Sequence, residues 1–231
     1  MFDGQTIVIT GAASGIGRAW AEHFTEDGAT VVAADINEAA LATLQVAHQL
    51  TVDVSHADQV AQMISYAVRE TGRIDVLFNN AGVGYGHTVE HSPDGAFEQH
   101  VAIHLFACVN AMRAAIPHMR RQRRGRIINT ISRNAEMDIH RTSGYAAAKA
   151  AMWAASRVTA SEVADDDILV NMLIPGPTRT PIWGRDMPQL QEPAVTYPTA
   201  KLLASLPADG PTGKVFWNEA EYPMFQTQPE S

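Results

Sequence analysis

Thr6-Ile7-Val8-Ile9-Thr10-Gly11-Ala12-Ala13-Ser14-Gly15-Ile16-Gly17 reads as a β-branched run, a glycine-rich turn and the opening of a helix. β-Branched side chains suit a pleated, half-buried surface, so 6–10 is expected to be a strand. The Ala-rich amphipathic stretch over 16–26 is expected to be a helix. Glycine has no Cβ, so the turn can fold tightly and let a pyrophosphate approach the backbone, while the helix N-terminus supplies the positive end of its dipole. A glycine-rich turn can be merely structural, but a strand before it and a helix after it are the context in which it holds a nucleotide. Gly11, Ser14, Gly15, Ile16 and Gly17 are the candidate phosphate contacts.

The alternation then repeats. Strands are expected over 30–35, 51–54, 74–78, 126–131 and 168–174, with 214–217 as an edge strand. Helices are expected over 38–47, 58–70, 94–119, 145–164 and 198–205, Pro117 bending or ending the long one. Strands alternating with helices build a parallel sheet covered on both faces. The fold class is therefore α/β, a single-domain Rossmann-type doubly wound parallel sheet with helices on both faces. The 231 residues suit one large domain. The Pro-rich segment 175–197 lacks regular periodicity, as a lid or active-site loop would, and 226–231 reads as a polar mobile tail.

A formal charge of -8 argues against a general polyanion binder, although Arg120, Arg121, Arg123, Arg124 and Arg126 form a dense basic run. Cations complement the C-terminal end of a helix dipole, and Gly125 follows as an expected stop, so the run reads as a solvated helix end rather than a nucleic-acid site. Cys108 is the only cysteine, which excludes an intrachain disulfide, and its apolar neighbours make it a core thiol. No basic segment leads into an apolar core at the N-terminus, and no apolar run is long enough to span a bilayer. The expected location is the cytoplasm.

Asp35 closes the second strand eighteen residues beyond Gly17, where a carboxylate can accept hydrogen bonds from an adenosine ribose and repel a 2′-phosphate. Ser14 supplies no cation to offset that repulsion. The expected cofactor is NAD, with 1–225 as one NAD-binding catalytic domain; a capping or loop carboxylate is the alternative for Asp35. Tyr145-Ala146-Ala147-Ala148-Lys149 places a phenol and an ammonium on one helix face. A cation beside tyrosine favours the phenolate, lowering a pKa of ordinarily ~10, and Ser132 upstream can orient a carbonyl or alcohol. The bland alternative is a helix with an exposed lysine and a half-buried tyrosine.

Thr10-Gly11-x-x-x-Gly15-Ile16-Gly17, Asn79-Asn80-Ala81-Gly82, Ser132, Tyr145, Lys149 and Pro175-Gly176 together, in this order, resemble the short-chain dehydrogenases/reductases over nearly the whole chain. The resemblance implies that Tyr145 transfers a proton, Ser132 binds the reacting oxygen, and Lys149 lowers the tyrosine pKa and holds the nicotinamide ribose. It further implies that Asp53 and Val54 flank the adenine, Asn80 with Ala81 and Gly82 meets the adenosine ribose side, and Pro175, Gly176, Thr178 and Thr180 line the nicotinamide and phosphates. The partners implied are a small alcohol or ketone and a second copy of the chain, as a homodimer or homotetramer, with neither nucleic acid nor membrane.

Two places depart from that pattern. Where the family usually carries an Asn in a segment like Val-Asn-Leu, this chain reads Ile103-His104-Leu105. His104 either replaces the Asn in holding a relay water, which makes it a fourth catalytic candidate, or is a packed histidine. The C-terminal Gly213-Lys214-Val215-Phe216-Trp217-Asn218-Glu219 resembles the carbonyl-reductase-like members rather than those ending in a strand and Asp-Gly-Gly.

Substrate walls are expected from 83–87, 133–141 and 180–191. Arg133 or Arg141 could grip a carboxylate or phosphate, or belong to a solvated loop, while Trp183 and Met187 could form an apolar lid. His87, His91, His100, His104 and His140 are numerous, but only His100 and His104 share a helix face and no third ligand is identifiable, so no metal is expected. The leading expectation is an NAD-dependent oxidoreductase interconverting a secondary alcohol and a ketone. An NAD-binding sensor without turnover is the alternative from another class, and a dehalogenase-like relative a third.

Overall fold

The computed structural model describes residues 1–84 and 86–225; the expected tail 226–231 lies outside them. Eight strands form one sheet: β1 (Thr6–Thr10), β2 (Thr30–Asp35), β3 (His48–Thr51), β4 (Val76–Asn79), β5 (Gly125–Thr130), β6 (Ile168–Leu173), β7 (Val215–Trp217) and β8 (Ala220–Glu221). Their order is β3-β2-β1-β4-β5-β6-β7-β8, parallel throughout except for the antiparallel β7–β8 pair. The order reverses at β1, and the chain's two halves wind outward from there, which opens a crevice at the carboxyl ends of β1 and β4.

Alternation along each strand divides the core in two. Val8, Val32, Ile127, Val170 and Met172 face α3 (Ala57–Thr71), α5 (Ala107–Gln122) and α6 (Ser143–Glu162). Ile7, Ile9, Val31, Ile128 and Leu173 face α1 (Gly15–Glu26) and α7 (Tyr197–Ala204), where Trp20, Phe24 and Leu203 are sealed from solvent. Burial on both faces is why these strands are continuous apolar runs rather than alternating ones.

Four local expectations are corrected. The third strand pairs over His48–Thr51, earlier than 51–54. The second helix, α2 (Glu38–Leu41), is a single turn; beyond it the amides of Thr43 and Leu44 bond three residues back, to Ala40 O and Leu41 O at 3.2 and 2.9 Å, in place of the four-back ladder. The long helix over 94–119 is three pieces: α4 (Ala96–His100), a π-helical turn Val101–Phe106, and α5, which runs through Pro117. β7 is not the edge, since Asn218 and Glu219, both with positive φ, turn the chain back as β8.

The basic run is also more structured than a solvated helix end. Arg123, at φ 53, caps α5 and Gly125 already belongs to β5. Arg120 pairs with Asp166 at 2.7 Å, and buried Arg126 donates to the carbonyls of Leu206, Gly125 and Asp167. No described helix is long and apolar enough to cross a membrane.

Gly17, in the first turn of α1, has no room for a side chain. A Cβ on Gly17 would lie 2.1 Å from Gly11 O and 2.7 Å from Asn80 Nδ2. Gly17→Ala is therefore expected to cost about 2 kcal/mol through forced backbone displacement, read as a lower urea midpoint at unchanged slope; wild-type stability would contradict this packing.

Candidate active site

The glycine turn is held from three sides. Thr10 Oγ1 accepts the amides of Asn80 and Ala81 at 3.0 and 3.1 Å, and Asn80 Nδ2 donates to Thr10 O at 3.1 Å. A Cβ on Gly11 would meet Ala81 Cα at 2.8 Å, and one on Gly15 would meet Thr180 Cγ2 at 2.9 Å; both glycines have positive φ. The fold thus brings Gly11, Ser14, Gly15, Ile16, Gly17, Asn80, Ala81 and Thr180 together. Ser14 leaves the first turn of α1 without a side-chain cap, so its amides remain available to an anion.

Asp35 closes the third side. Its carboxylate accepts Ala13 N and Asn37 N, each at 2.9 Å, so it both shapes the turn and puts negative charge where β2 ends. Arg18 is turned away from it, donating to Glu22 at 2.9 Å and Thr43 at 2.8 Å. Asp53 sits at the next strand end, where hydrogen bonds from Ser55 hold its carboxyl below the usual range, and Val54 beside it is buried. On the opposite wall, Thr178 Oγ1 donates to the Pro175 and Gly176 carbonyls, and Gln191 Nε2 donates to Pro175 O and Thr178 Oγ1 at 2.6 and 3.0 Å. The 175–191 loop is thereby cross-linked to itself, with Trp183 Nε1 donating to Thr178 O at 2.7 Å.

Ser132, at the end of β5, and Tyr145, in the first turns of α6, meet through their hydroxyls. Ser132 Oγ also accepts Asn134 N at 3.2 Å. Lys149, one turn beyond Tyr145, is 3% exposed and donates to Thr130 O at 2.7 Å, its Nζ 5.6 Å from the Tyr145 ring centroid. The lysine expected to be exposed in the bland reading is therefore buried. Burial lowers its pKa to about 8, with Cys108 opposing the shift slightly. Enclosure raises the Tyr145 pKa above its ordinary value, the Ser132 hydrogen bond pulling the other way. Desolvation dominates at Tyr145, and the Lys149 ammonium gives its hydrogen bond to the Thr130 carbonyl.

His104 enters from the π-helical turn, which projects it under the loop after β4. Its Nε2 donates to Val83 O at 2.9 Å, and its ring fills the space a Cβ on Gly82 would need, 2.6 Å from Cε1. Nδ1 is buried and has no partner among the described residues. Burial, reinforced by nearby Lys149, pushes its pKa well down, so it is neutral at pH 7. His104 stands edge-on to Tyr145 at 5.1 Å and stacks on His100 at 5.8 Å. It makes no hydrogen bond to Lys149.

Other candidates from the polar loops are occupied. Arg141 donates to Gly86 O at 2.9 Å, and the Arg133 guanidinium lies over the Trp217 and Tyr222 rings. Among the described residues no three His, Cys, Asp or Glu side chains are grouped as metal ligands. Three participants escaped the sequence reading. The carbonyls of Thr130 and Val83 carry no side-chain signal, and His100 was visible only as a histidine four residues before His104.

Residues 5–191 match the short chain dehydrogenase family. The chain is a short-chain dehydrogenase/reductase. An uncharacterised oxidoreductase of Mycobacterium bovis is 33% identical over 93% of this chain and 95% of its own. The 3-oxoacyl-[acyl-carrier-protein] reductase FabG of Thermotoga maritima is 33% identical over 78% of this chain and 76% of its own. Among solved structures, a 3-ketoacyl-(acyl-carrier-protein) reductase from Brucella melitensis complexed with NADH superposes with a TM-score of 0.86 at 26% identity, covering 92% of this chain and 96% of that one. The protein is thus an oxidoreductase of this family, and its glycine cradle suits the family's nicotinamide cofactor.

Lys149 has a thermodynamic signature. Its folded pKa of about 8 lies below its ordinary value of 10.5, so between those pH values the unfolded chain binds more protons and stability contributed at this site rises with pH. Relative to Lys149→Met, the ligand-free short-chain dehydrogenase is expected to gain unfolding free energy from pH 8 to 10.5 in urea titrations. A difference independent of pH would contradict the buried, pKa-lowered amine.

Proposed function

We propose that the protein is an NAD-dependent oxidoreductase that interconverts a secondary alcohol and a ketone, with Tyr145 as its acid and base. The observation that carries this reading is the Ser132 and Tyr145 hydroxyl pair backed by buried Lys149. Ser132 holds the reacting oxygen, and Tyr145, a phenol that burial makes still less acidic, donates its proton to that oxygen in the reducing direction. Lys149, titrating near neutrality, holds the proton that returns to Tyr145 and binds the nicotinamide ribose. NAD(H), when bound, supplies or accepts the hydride.

Gly11, Ser14, Gly15, Ile16 and Gly17 hold the pyrophosphate, Asp35 the adenosine ribose, and Asp53 and Val54 the adenine. Asn80, Ala81 and Gly82 form the wall behind the ribose, and Pro175, Gly176, Thr178 and Thr180 face the nicotinamide and phosphates. NAD is favoured over NADP because the Asp35 carboxylate stands there while Arg18 is engaged by Glu22 and Thr43. His104 acts as a neutral member of the site, tying Val83 to the wall beside Tyr145. A homo-oligomer in the cytoplasm completes the reading, with exposed Phe106 and Val158 as apolar surface that a second copy could cover.

Tyr145→Phe is expected to lower kcat by about a hundredfold or more while leaving the NADH dissociation constant, measured by fluorescence titration, unchanged. Wild-type turnover in a variant that still binds NADH would refute the assignment.

A further inference from the structure

The C-terminal hairpin and the residues after it touch three of the segments that build the site. Trp217, on β7, lies against the loop after β6, where its Nε1 would be 3.3 Å from a Cβ on Gly176. Phe225 packs on Trp153 of α6 at 4.7 Å, two turns beyond Tyr145. The third contact is polar and reaches the turn that carries Ser132. Tyr222 donates its hydroxyl to Glu136 Oε1, and Phe225 N donates to Glu136 Oε2 at 2.8 Å.

Glu136 closes the short helical turn Arg133–Ala135 that Ser132 caps, its amide donating to Arg133 O at 2.9 Å. Arg133, the residue after Ser132, holds its guanidinium 5.0 Å from the Trp217 ring and 5.6 Å from the Tyr222 ring, with Nε 4.0 Å from Glu136 Oε1. Both oxygens of Glu136 are thus committed to the hairpin, and its side chain is only 17% exposed. The hairpin is itself fixed from below, since Glu219 N donates to Thr199 Oγ1 at 3.0 Å on α7. The hairpin is therefore joined to the turn after Ser132 through the Glu136 carboxylate and through Arg133.

We infer that Tyr222 and Glu136 are positioning residues, which hold the turn after β5 so that the Ser132 hydroxyl keeps its orientation toward Tyr145. This rests on the reaction proposed above for its kinetic consequence but not for its structural one. Tyr222 and Glu136 touch no reacting atom. Their effect is on the backbone that aims Ser132, and displacement on the scale of an ångström is enough to slow a positioned reaction.

Tyr222→Phe deletes one hydroxyl and keeps the ring over Arg133. The expected result is a kcat lowered about tenfold, an NADH KM unchanged, and faster hydrogen exchange at the Asn134 amide, which Ser132 Oγ accepts. Tyr222→Phe combined with Glu136→Ala is expected to be no slower than Glu136→Ala alone, because both act through one contact. Unchanged Asn134 exchange overturns the inference whatever the activity, as does faster exchange with wild-type kcat, or a kcat loss accompanied by an equal rise in NADH KM. Were the wild-type protein to turn over no alcohol or ketone, the proposed reaction would fail, and Asn134 exchange would still decide the positioning.

Discussion

Lys149 donates to the Thr130 carbonyl from a site closed to water, and the rest of the catalytic geometry depends on that contact. Taking an ammonium out of water is costly unless it finds a partner, yet here the partner is one neutral carbonyl at 2.7 Å. The cost is visible in the lowered pKa of about 8. What the bond accomplishes is registration: it ties α6 to the end of β5, so that Tyr145 one turn earlier lies opposite Ser132. The same burial that lowers the amine's pKa places it behind the Tyr145 phenol, where the reaction proposed above needs a proton store.

The nucleotide end relies on close backbone approach rather than on charge. Gly11 against Ala81, Gly15 against Thr180 and Gly17 against Gly11 O leave no room for a Cβ, and Thr10 bonds the next loop through its hydroxyl. Asp35 fixes the turn by accepting Ala13 N, so replacing it would disturb the turn as well as the cofactor preference proposed above.

Much of this was legible in the sequence, for identifiable reasons. The strand, glycine turn and helix at 6–17, the two-faced sheet, and the meeting of Ser132, Tyr145 and Lys149 all follow from local pattern and spacing. The departures lie where the backbone leaves the regular geometry of its element. Three-back bonds at Thr43 and Leu44 end α2, a π-helical turn around His104 interrupts the long helix, and two positive-φ residues lead into a strand beyond β7. Residue spacing records the proximity of Lys149 to Tyr145 but not the loss of water that raises the tyrosine pKa. Tyr222 and Glu136, eighty-six residues apart, left no sequence signal at all.

The most direct measurement is cofactor reduction with a panel of secondary alcohols of graded size, followed by reduced-cofactor absorbance with NAD and with NADP. The account predicts turnover of at least one alcohol, faster with NAD, and reversal when the matching ketone and NADH are supplied. Saturable NADH binding with no turnover across alcohols and ketones would contradict it and leave a protein that binds the cofactor without using it.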